Sequence, residues 1–330
     1  MSKARMLYRR YKLPPDIVVM LRASIVMCAA LVGIGACWLR SVPCLAQAAA
    51  DGKTVTKTPS QRRGPDYVDS LVTNLKPTRK VVYKTVGGRD LQLHVFEPKG
   101  HQPTDRRPCF VIVHGGGWTS GVPSRMYPFA DHAATLGMVG ISVEYRLMKK
   151  EAGLTPFECV KDGRSAVRYV REHAAEFGID PQKIVVSGGS AGGHVAAGTA
   201  LFDGVDEPGE GTSVSSIPNA LVLYFPVIDT SEKGYGNGKV GSRWQELSPL
   251  HRVKAGSPPT IIFHGTGDTV TPFAGAQEFC DAMHKAGNRC ELIVNEGGLH
   301  GYLMRDRTVF EDALRKTDAF LATLGFCNKP

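Results

Sequence analysis

The sequence predicts an α/β protein with a mostly parallel sheet and helices on both faces, and three observations carry that reading. β-rich apolar runs alternate with helical stretches through most of the chain, the pattern of strands linked by crossover helices. One of these runs, Cys109-Phe110-Val111-Ile112-Val113, is apolar at every position, as a strand covered on both faces requires. The third is Ile184-Val185-Val186, which runs into the small residues Ser187 to Gly193 and then into Val195-Ala196-Ala197, so that a strand, a sharp turn and a helix follow in sequence. With 330 residues, 42% hydrophobic and 22% charged, the chain can bury one large α/β domain or two small ones.

The N-terminus reads as an export signal over residues 1–48. Arg22 precedes an uncharged run from Ile25 to Leu39, followed by the A-x-A pattern Ala46-Gln47-Ala48. The run is shorter than the ~20 apolar residues that span a bilayer, so cleavage is expected, with a retained anchor as the alternative. Met20 would open a leader of more ordinary length, and translation from Met20 is a second possible start. The leader also accounts for most of the charge: Lys3, Arg5, Arg9, Arg10, Lys12, Arg22 and Arg40 against Asp16 contribute +6 of the net +9, leaving +3 for the remainder. That remainder is too weakly basic to indicate a nucleic-acid partner. The expected location is the periplasm or the extracellular space, with no stable membrane span once the leader is removed.

Residues 49–78, polar and proline-containing, read as a linker. The domain is expected over 79–324, with a short tail at 325–330. It opens with a hairpin, Arg79–Val86 and Asp90–Phe96 around Gly87-Gly88. After the Cys109–Val113 strand come a helix over Ser124–Leu136, a strand over Met138–Glu144, and a helix over Pro156–Phe177 with proline in its first turn. The strand Lys183–Ser187 and the helix after Ser190 follow, then strands at Ala220–Phe225 and Thr260–His264. A helix over Pro272–Ala286, a strand over Cys290–Asn295 and a helix over Thr308–Leu324 complete the domain.

Within this frame the chemistry concentrates in three loops. Gly188-Gly189-Ser190-Ala191-Gly192 is G-x-S-x-G, whose glycines let a nucleophile sit at the tip of a turn with backbone packed on either side. Directly after Val113 comes His114-Gly115-Gly116-Gly117-Trp118. Glycines at a strand end expose backbone N–H donors, so Gly116 and Gly117, with Ala191 behind the serine, are the candidates to bind an oxyanion. Asp268 follows the Thr260 strand and His300 follows the Cys290 strand, giving the chain order Ser, Asp, His in loops at one end of a parallel sheet. His300 is the candidate base and Asp268 its orienting acid, with Asp229 after the Ala220 strand as an alternative acid. Trp118 and Tyr302 are candidates to contact substrate, Trp118 being equally readable as a half-buried aromatic. His194 and His264 read as packed residues of their turns, and Asp162 as an ion-pair partner.

Of the eight cysteines, Cys28, Cys37 and Cys44 fall in the leader; the other five show no metal-ligand spacing, and no metal or cofactor is expected. Cys280 and Cys290, on a helix and the strand after it, could pair in an oxidising compartment; buried free thiols are the alternative.

With HGGGW, GGSAGG, the Asp268 loop and the His300 loop in place, the chain resembles the α/β-hydrolase esterases related to hormone-sensitive lipase, and within them the compact bacterial acetyl-esterase and feruloyl-esterase-like branch. Glu144-Tyr145-Arg146-Leu147 matches a strand-end signature of that family, although Met148-Lys149-Lys150 stands where Ala-Pro is usual, and Trp118 stands where lipase-like members carry Phe. The resemblance implies an α/β-hydrolase fold without a large cap domain and a serine carboxylesterase; the connections Phe202–Pro218 and Pro226–Pro259, rich in Gly, Ser and charge and without a long apolar helix that could act as a lid, point to short-chain acyl esters. Small-molecule or carbohydrate esters, acetyl or feruloyl, are the candidate substrates. An arylformamidase or a peptidase-like amide hydrolase would use the same triad. Neither acyl group, alcohol nor oligomeric state is legible in the residues.

Overall fold

The computed structural model describes residues 66–328, so the expected leader and residues 49–65 of the expected linker lie outside the described residues. The final part of that linker is folded. Tyr67–Val72 forms a short helix, α1, whose Val68 is fully buried, and this corrects the reading of 49–78 as linker throughout. The remaining elements are β1 (Arg79–Val86), β2 (Arg89–Phe96), β3 (Arg107–Val113), α2 (Tyr127–Thr135), β4 (Val139–Val143), α3 (Pro156–Glu172), β5 (Ile179–Gly189) and α4 (Ala191–Leu201). They continue with β6 (Ala220–Tyr224), the single turn α5 (Asn237–Val240), β7 (Thr260–Gly265), α6 (Phe273–Lys285), β8 (Cys290–Asn295) and α7 (Arg307–Thr323). Most observed boundaries fall within a few residues of the expected ones; β5 begins four residues early, because Arg107 pairs with Ile179 before the register shifts.

The eight strands form one sheet in the order β1-β2-β4-β3-β5-β6-β7-β8. β1, β2 and β4 pair antiparallel, and every pair from β4–β3 to β7–β8 is parallel. Alternation along the strands divides the core between the two faces. Cys109, Val111 and Val113 of β3 join a cluster with α3 and α4, whereas Phe110 and Ile112 join another with α2 and α7. Among the described residues there is no large cap, and no described helix is long and apolar enough to cross a membrane.

Local chemistry fixes the helices that frame the site. Thr155 caps α3 by accepting from the Phe157 N–H at 3.2 Å, while Glu158 accepts from the Thr155 N–H at 2.8 Å, a reciprocal capping box with Pro156 at the first helical position. α4 is buried at every residue, which its run of Gly, Ala and Thr permits. The strand end after β4 is held by charge: Arg146 grips Asp162 of α3 through two 2.8 Å bonds and its own N–H through a third, and Lys84 adds an ion pair to Asp162 at 2.9 Å. Cys109, Cys159, Cys280, Cys290 and Cys327 are free thiols, so Cys280 and Cys290 do not pair here.

Burial pushes the imidazoles of His114 and His194 down from 6.5 to about 4, in each case against an opposing hydrogen bond to a backbone carbonyl, that of Gly115 for His114 and that of Leu247 for His194. Between those limits the unfolded chain binds protons that the folded chain does not, so stability rises with pH there and is lost as pH falls from 6.5 toward 4. At about 1.4 kcal/mol per unit, each buried imidazole removes about 2 kcal/mol by pH 5. Urea unfolding at pH 7.5 and pH 5 should therefore show a marked fall in midpoint; equal midpoints would contradict the neutral, buried state of both rings.

Candidate active site

The elbow between β5 and α4 places Ser190 in a conformation few non-glycine residues adopt, φ 56° and ψ −122°. Surrounding backbone holds it there: the Ser190 N–H donates to the Tyr224 carbonyl at 3.0 Å, and its carbonyl accepts from the N–H groups of Val227 at 3.1 Å and His194 at 3.2 Å. The elbow also presses onto the end of β3, where a Cβ at position 192 would lie 2.1 Å from the Val113 carbonyl oxygen. Glycine is obligatory at Gly192 for that reason.

Ser190 Oγ lies 2.9 Å from His300 Nε2, and His300 Nδ1 lies 2.8 Å from Asp268 Oδ2. The three side chains come from loops after β5, β8 and β7. β7 and β8 are neighbours, with His264 opposite Val294 and Gly265 opposite Asn295, so the Asp268 and His300 loops leave the sheet side by side. Asp268 is saturated with donors: Oδ1 accepts from the N–H groups of Val270 at 2.8 Å and Thr271 at 2.9 Å, and Oδ2 accepts from the Thr271 hydroxyl at 2.9 Å. Burial alone would raise its pKa, but His264, His300 and the Thr271 N–H together hold the carboxyl well below the usual carboxylate range. Asp229 is elsewhere, accepting from the Ser231 N–H at 2.8 Å and hydroxyl at 2.7 Å.

The loop after β3 is held by its own carbonyls. The Gly116 carbonyl accepts from the N–H groups of Thr119 and Ser120 and from the Ser120 hydroxyl, each at 3.1 Å. In a trans peptide the N–H points opposite to the carbonyl, which turns the Gly117 N–H away from Ser120. The Gly115 carbonyl lies 2.8 Å from His114 Nδ1, which requires the proton on Nδ1 and turns the Gly116 N–H in the same manner. Gly116 at φ 118° and Gly117 at φ 60° need the freedom of glycine to make this turn. The N–H groups of Gly116, Gly117 and Ala191 have no acceptor among the described residues. Lys239 props the loop from behind, its Nζ 3.1 Å from the Gly117 carbonyl and 2.9 Å from the Tyr235 hydroxyl.

These groups surround a cavity of about 440 Å³, lined near Ser190 by Gly116, Gly117, Phe225, Tyr235 and His300. Two expected contacts are absent from it. Trp118 is fully buried beneath the loop, its ring 5.0 Å from that of His194 and 5.5 Å from that of Tyr235; with φ 64° it continues the left-handed turn of the two glycines and swings under the chain. Tyr302 packs into the α2–α7 side of the core, and it is Gly301 and Met304 beside it that face the cavity. Phe225 and Tyr235 were not foreseen from sequence. Among the described residues no group of three or more His, Cys, Asp or Glu side chains could hold a metal ion.

Comparison with known proteins finds esterases among the relatives of this chain. A family model described as BD-FAE matches residues 93–235. The chain is 42% identical to Thermogutta terrifontis esterase 2, over 76% of this chain and 96% of that one, with a TM-score of 0.72. The chain belongs to the hormone-sensitive-lipase-like α/β-hydrolase esterases. The same Thermogutta esterase has been solved with propionate bound and with butyrate bound, and phosphorylated by paraoxon. More distant relatives of this chain include LipQ of Mycobacterium tuberculosis, 29% identical over 61% of this chain and 51% of LipQ, and a probable isoprenylcysteine alpha-carbonyl methylesterase of Arabidopsis thaliana, 27% identical over 67% and 50%. The chain spans about half the length of these curated relatives.

Proposed function

We propose that this esterase is a serine carboxylesterase for short acyl groups that works through an acyl-enzyme. The observation that carries the reading is the continuous relay from Asp268 through His300 to Ser190 Oγ, with both hydrogen bonds under 3 Å. Ser190 attacks the ester carbonyl while His300 Nε2 accepts its proton. The tetrahedral oxyanion takes the N–H groups of Gly116, Gly117 and Ala191, none of which needs to be freed from an existing bond first. His300 then passes the proton to the departing alcohol, and water repeats the sequence on the acyl-enzyme. Asp268, ionised throughout, compensates the imidazolium.

Short acyl groups are favoured because no lid helix among the described residues supplies apolar surface to a long chain. A long chain would gain only part of the ~0.8 kcal/mol per methylene that burial provides. The propionate and butyrate complexes of the Thermogutta esterase support the same reading. Acetyl esters of carbohydrates fit a site open to solvent on the alcohol side; a feruloyl group asks more of the acyl side. A p-nitrophenyl ester series from acetate to palmitate tests this: kcat/KM should peak at acetate to butyrate, and a rise toward palmitate would sink it. N-formylkynurenine in the same assay should be turned over poorly; preference for it would assign an amide hydrolase instead.

Export by residues 1–48 is part of the proposal, supported by the Arg22, Ile25–Leu39 and Ala46-Gln47-Ala48 pattern. N-terminal sequencing of protein from its native host should find an end close to Ala49. An end at Met1 or Met20 would contradict cleavage.

A further inference from the structure

Not every cation at the cavity is paired with a carboxylate among the described residues. Arg125 and Asp66 both line it, and they neutralise one another through a 2.8 Å ion pair, with Asp69 3.4 Å from the same guanidinium. Lys239, behind the oxyanion loop, donates only to the Gly117 carbonyl, a backbone oxygen, and to the Tyr235 hydroxyl. Arg305 lines the cavity beside Met304 and forms no ion pair with any described carboxylate. Its Nη2 donates to the His300 carbonyl at 2.9 Å, which fixes the guanidinium next to the base and leaves Nε and Nη1 without an acceptor among the described residues. Lys239 and Arg305 are thus left without a carboxylate partner among the described residues, since Asp66 and Asp69 are taken by Arg125 and Asp268 by His300, Val270 and Thr271.

Arg305 lines the same cavity as Ser190 and His300. A base that protonates the leaving oxygen through Nε2 must have the alcohol on its own side of Ser190, opposite the oxyanion donors, and Arg305 is tied to the backbone of that base. The folded α1 helix contributes to the same rim: the Tyr67 N–H donates to the Arg305 carbonyl at 3.4 Å, and Asp66 precedes it. We infer that Arg305 forms an anion subsite for the alcohol portion of the substrate, so that esters of carboxylate-bearing alcohols are preferred over neutral ones. A planar guanidinium, already anchored at one nitrogen, matches a carboxylate and loses little freedom on binding it. The inference rests on the esterase reading above and adds a substrate class to it.

Phenyl acetate and 4-acetoxybenzoate share an acyl group and differ by a carboxylate on the leaving alcohol, so the ratio of their kcat/KM values isolates the subsite. In the purified enzyme that ratio should fall about fivefold in Arg305→Gln, which can keep the bond to the His300 carbonyl but carries no charge, and further in Arg305→Glu; Arg305→Lys should retain most of it. The wild-type ratio should also decline with added salt, as an exposed ion contact does. An unchanged ratio in the Gln and Glu variants overturns the subsite while leaving the esterase assignment intact. An equal loss on both esters overturns it too, since Arg305 would then act by holding His300. If the wild-type enzyme hydrolyses neither ester nor the p-nitrophenyl series, the esterase reading fails and the subsite with it.

Discussion

Replacing Ser190 by Ala should lower kcat by on the order of 10⁴-fold or more while the protein stays folded. The size follows from what is lost. Without Oγ no acyl-enzyme forms, and His300 can only activate water that is not held at the tip of the elbow, so covalent catalysis and the positioning of the nucleophile disappear together. The fold should survive, because the elbow is held by backbone bonds from Ser190 to Tyr224, Val227 and His194 that alanine retains. The φ of 56° is as strained for alanine as for serine, so no relief is expected either. Paraoxon provides a second readout. It phosphorylates the related Thermogutta esterase, and here the adduct should map to the peptide containing Ser190 and be absent from Ser190→Ala. Near-normal turnover in a folded Ser190→Ala protein, or paraoxon labelling that persists in it, would falsify the nucleophile assignment.

What the sequence disclosed and what it concealed divide along the range of the forces involved. The β5–Ser190–α4 unit was legible because its constraints are local: apolar β-branched residues, small residues where backbone passes within 2.1 Å of a would-be Cβ, and a helix of residues small enough to be buried on all sides. The hairpin of β1 and β2 was legible for the same reason, its turn being Gly87-Gly88 with positive φ at both. Trp118 was not. Its destination depends on the sign of its own φ and on Tyr235, a residue 117 positions away that shares its packing. Phe225 and Tyr235 escaped notice because the path of the chain after β6 is set by tertiary contacts, such as the Tyr235 N–H donating to the Asp229 carbonyl at 2.9 Å, rather than by any periodic pattern. α1 has six residues and one fully buried side chain, too short a stretch for helical periodicity to register.

In the sequence Asp268 is favoured over Asp229 as the acid of the chain order Ser, Asp, His, and the sheet order supplies the physical reason. Asp268 follows β7, the neighbour of β8, and contacts His300, whereas Asp229 follows β6 and is occupied with Ser231. Asp268→Asn should therefore lower kcat by about 10³–10⁴-fold, about 4–5 kcal/mol of transition-state stabilisation, with a much smaller change in KM. Two effects combine. The imidazolium formed during attack loses its negative partner. The asparagine amide can also present N–H to Nδ1, which favours the tautomer with the proton on Nε2, and that nitrogen can then no longer accept from Ser190. The Val270 and Thr271 N–H groups, which now meet Oδ1 at 2.8 and 2.9 Å, can still be satisfied by the asparagine carbonyl oxygen, so the loop should stay in place and the loss should be one of chemistry rather than folding. Asp229→Asn should keep activity within a few-fold, since the bonds it makes close its own turn. The two variants, assayed on p-nitrophenyl acetate with circular dichroism as the check on folding, separate the alternatives: a crippled Asp229→Asn beside an active Asp268→Asn would transfer the role to the wrong side of β7, and the relay drawn from the His300 geometry would have to be abandoned.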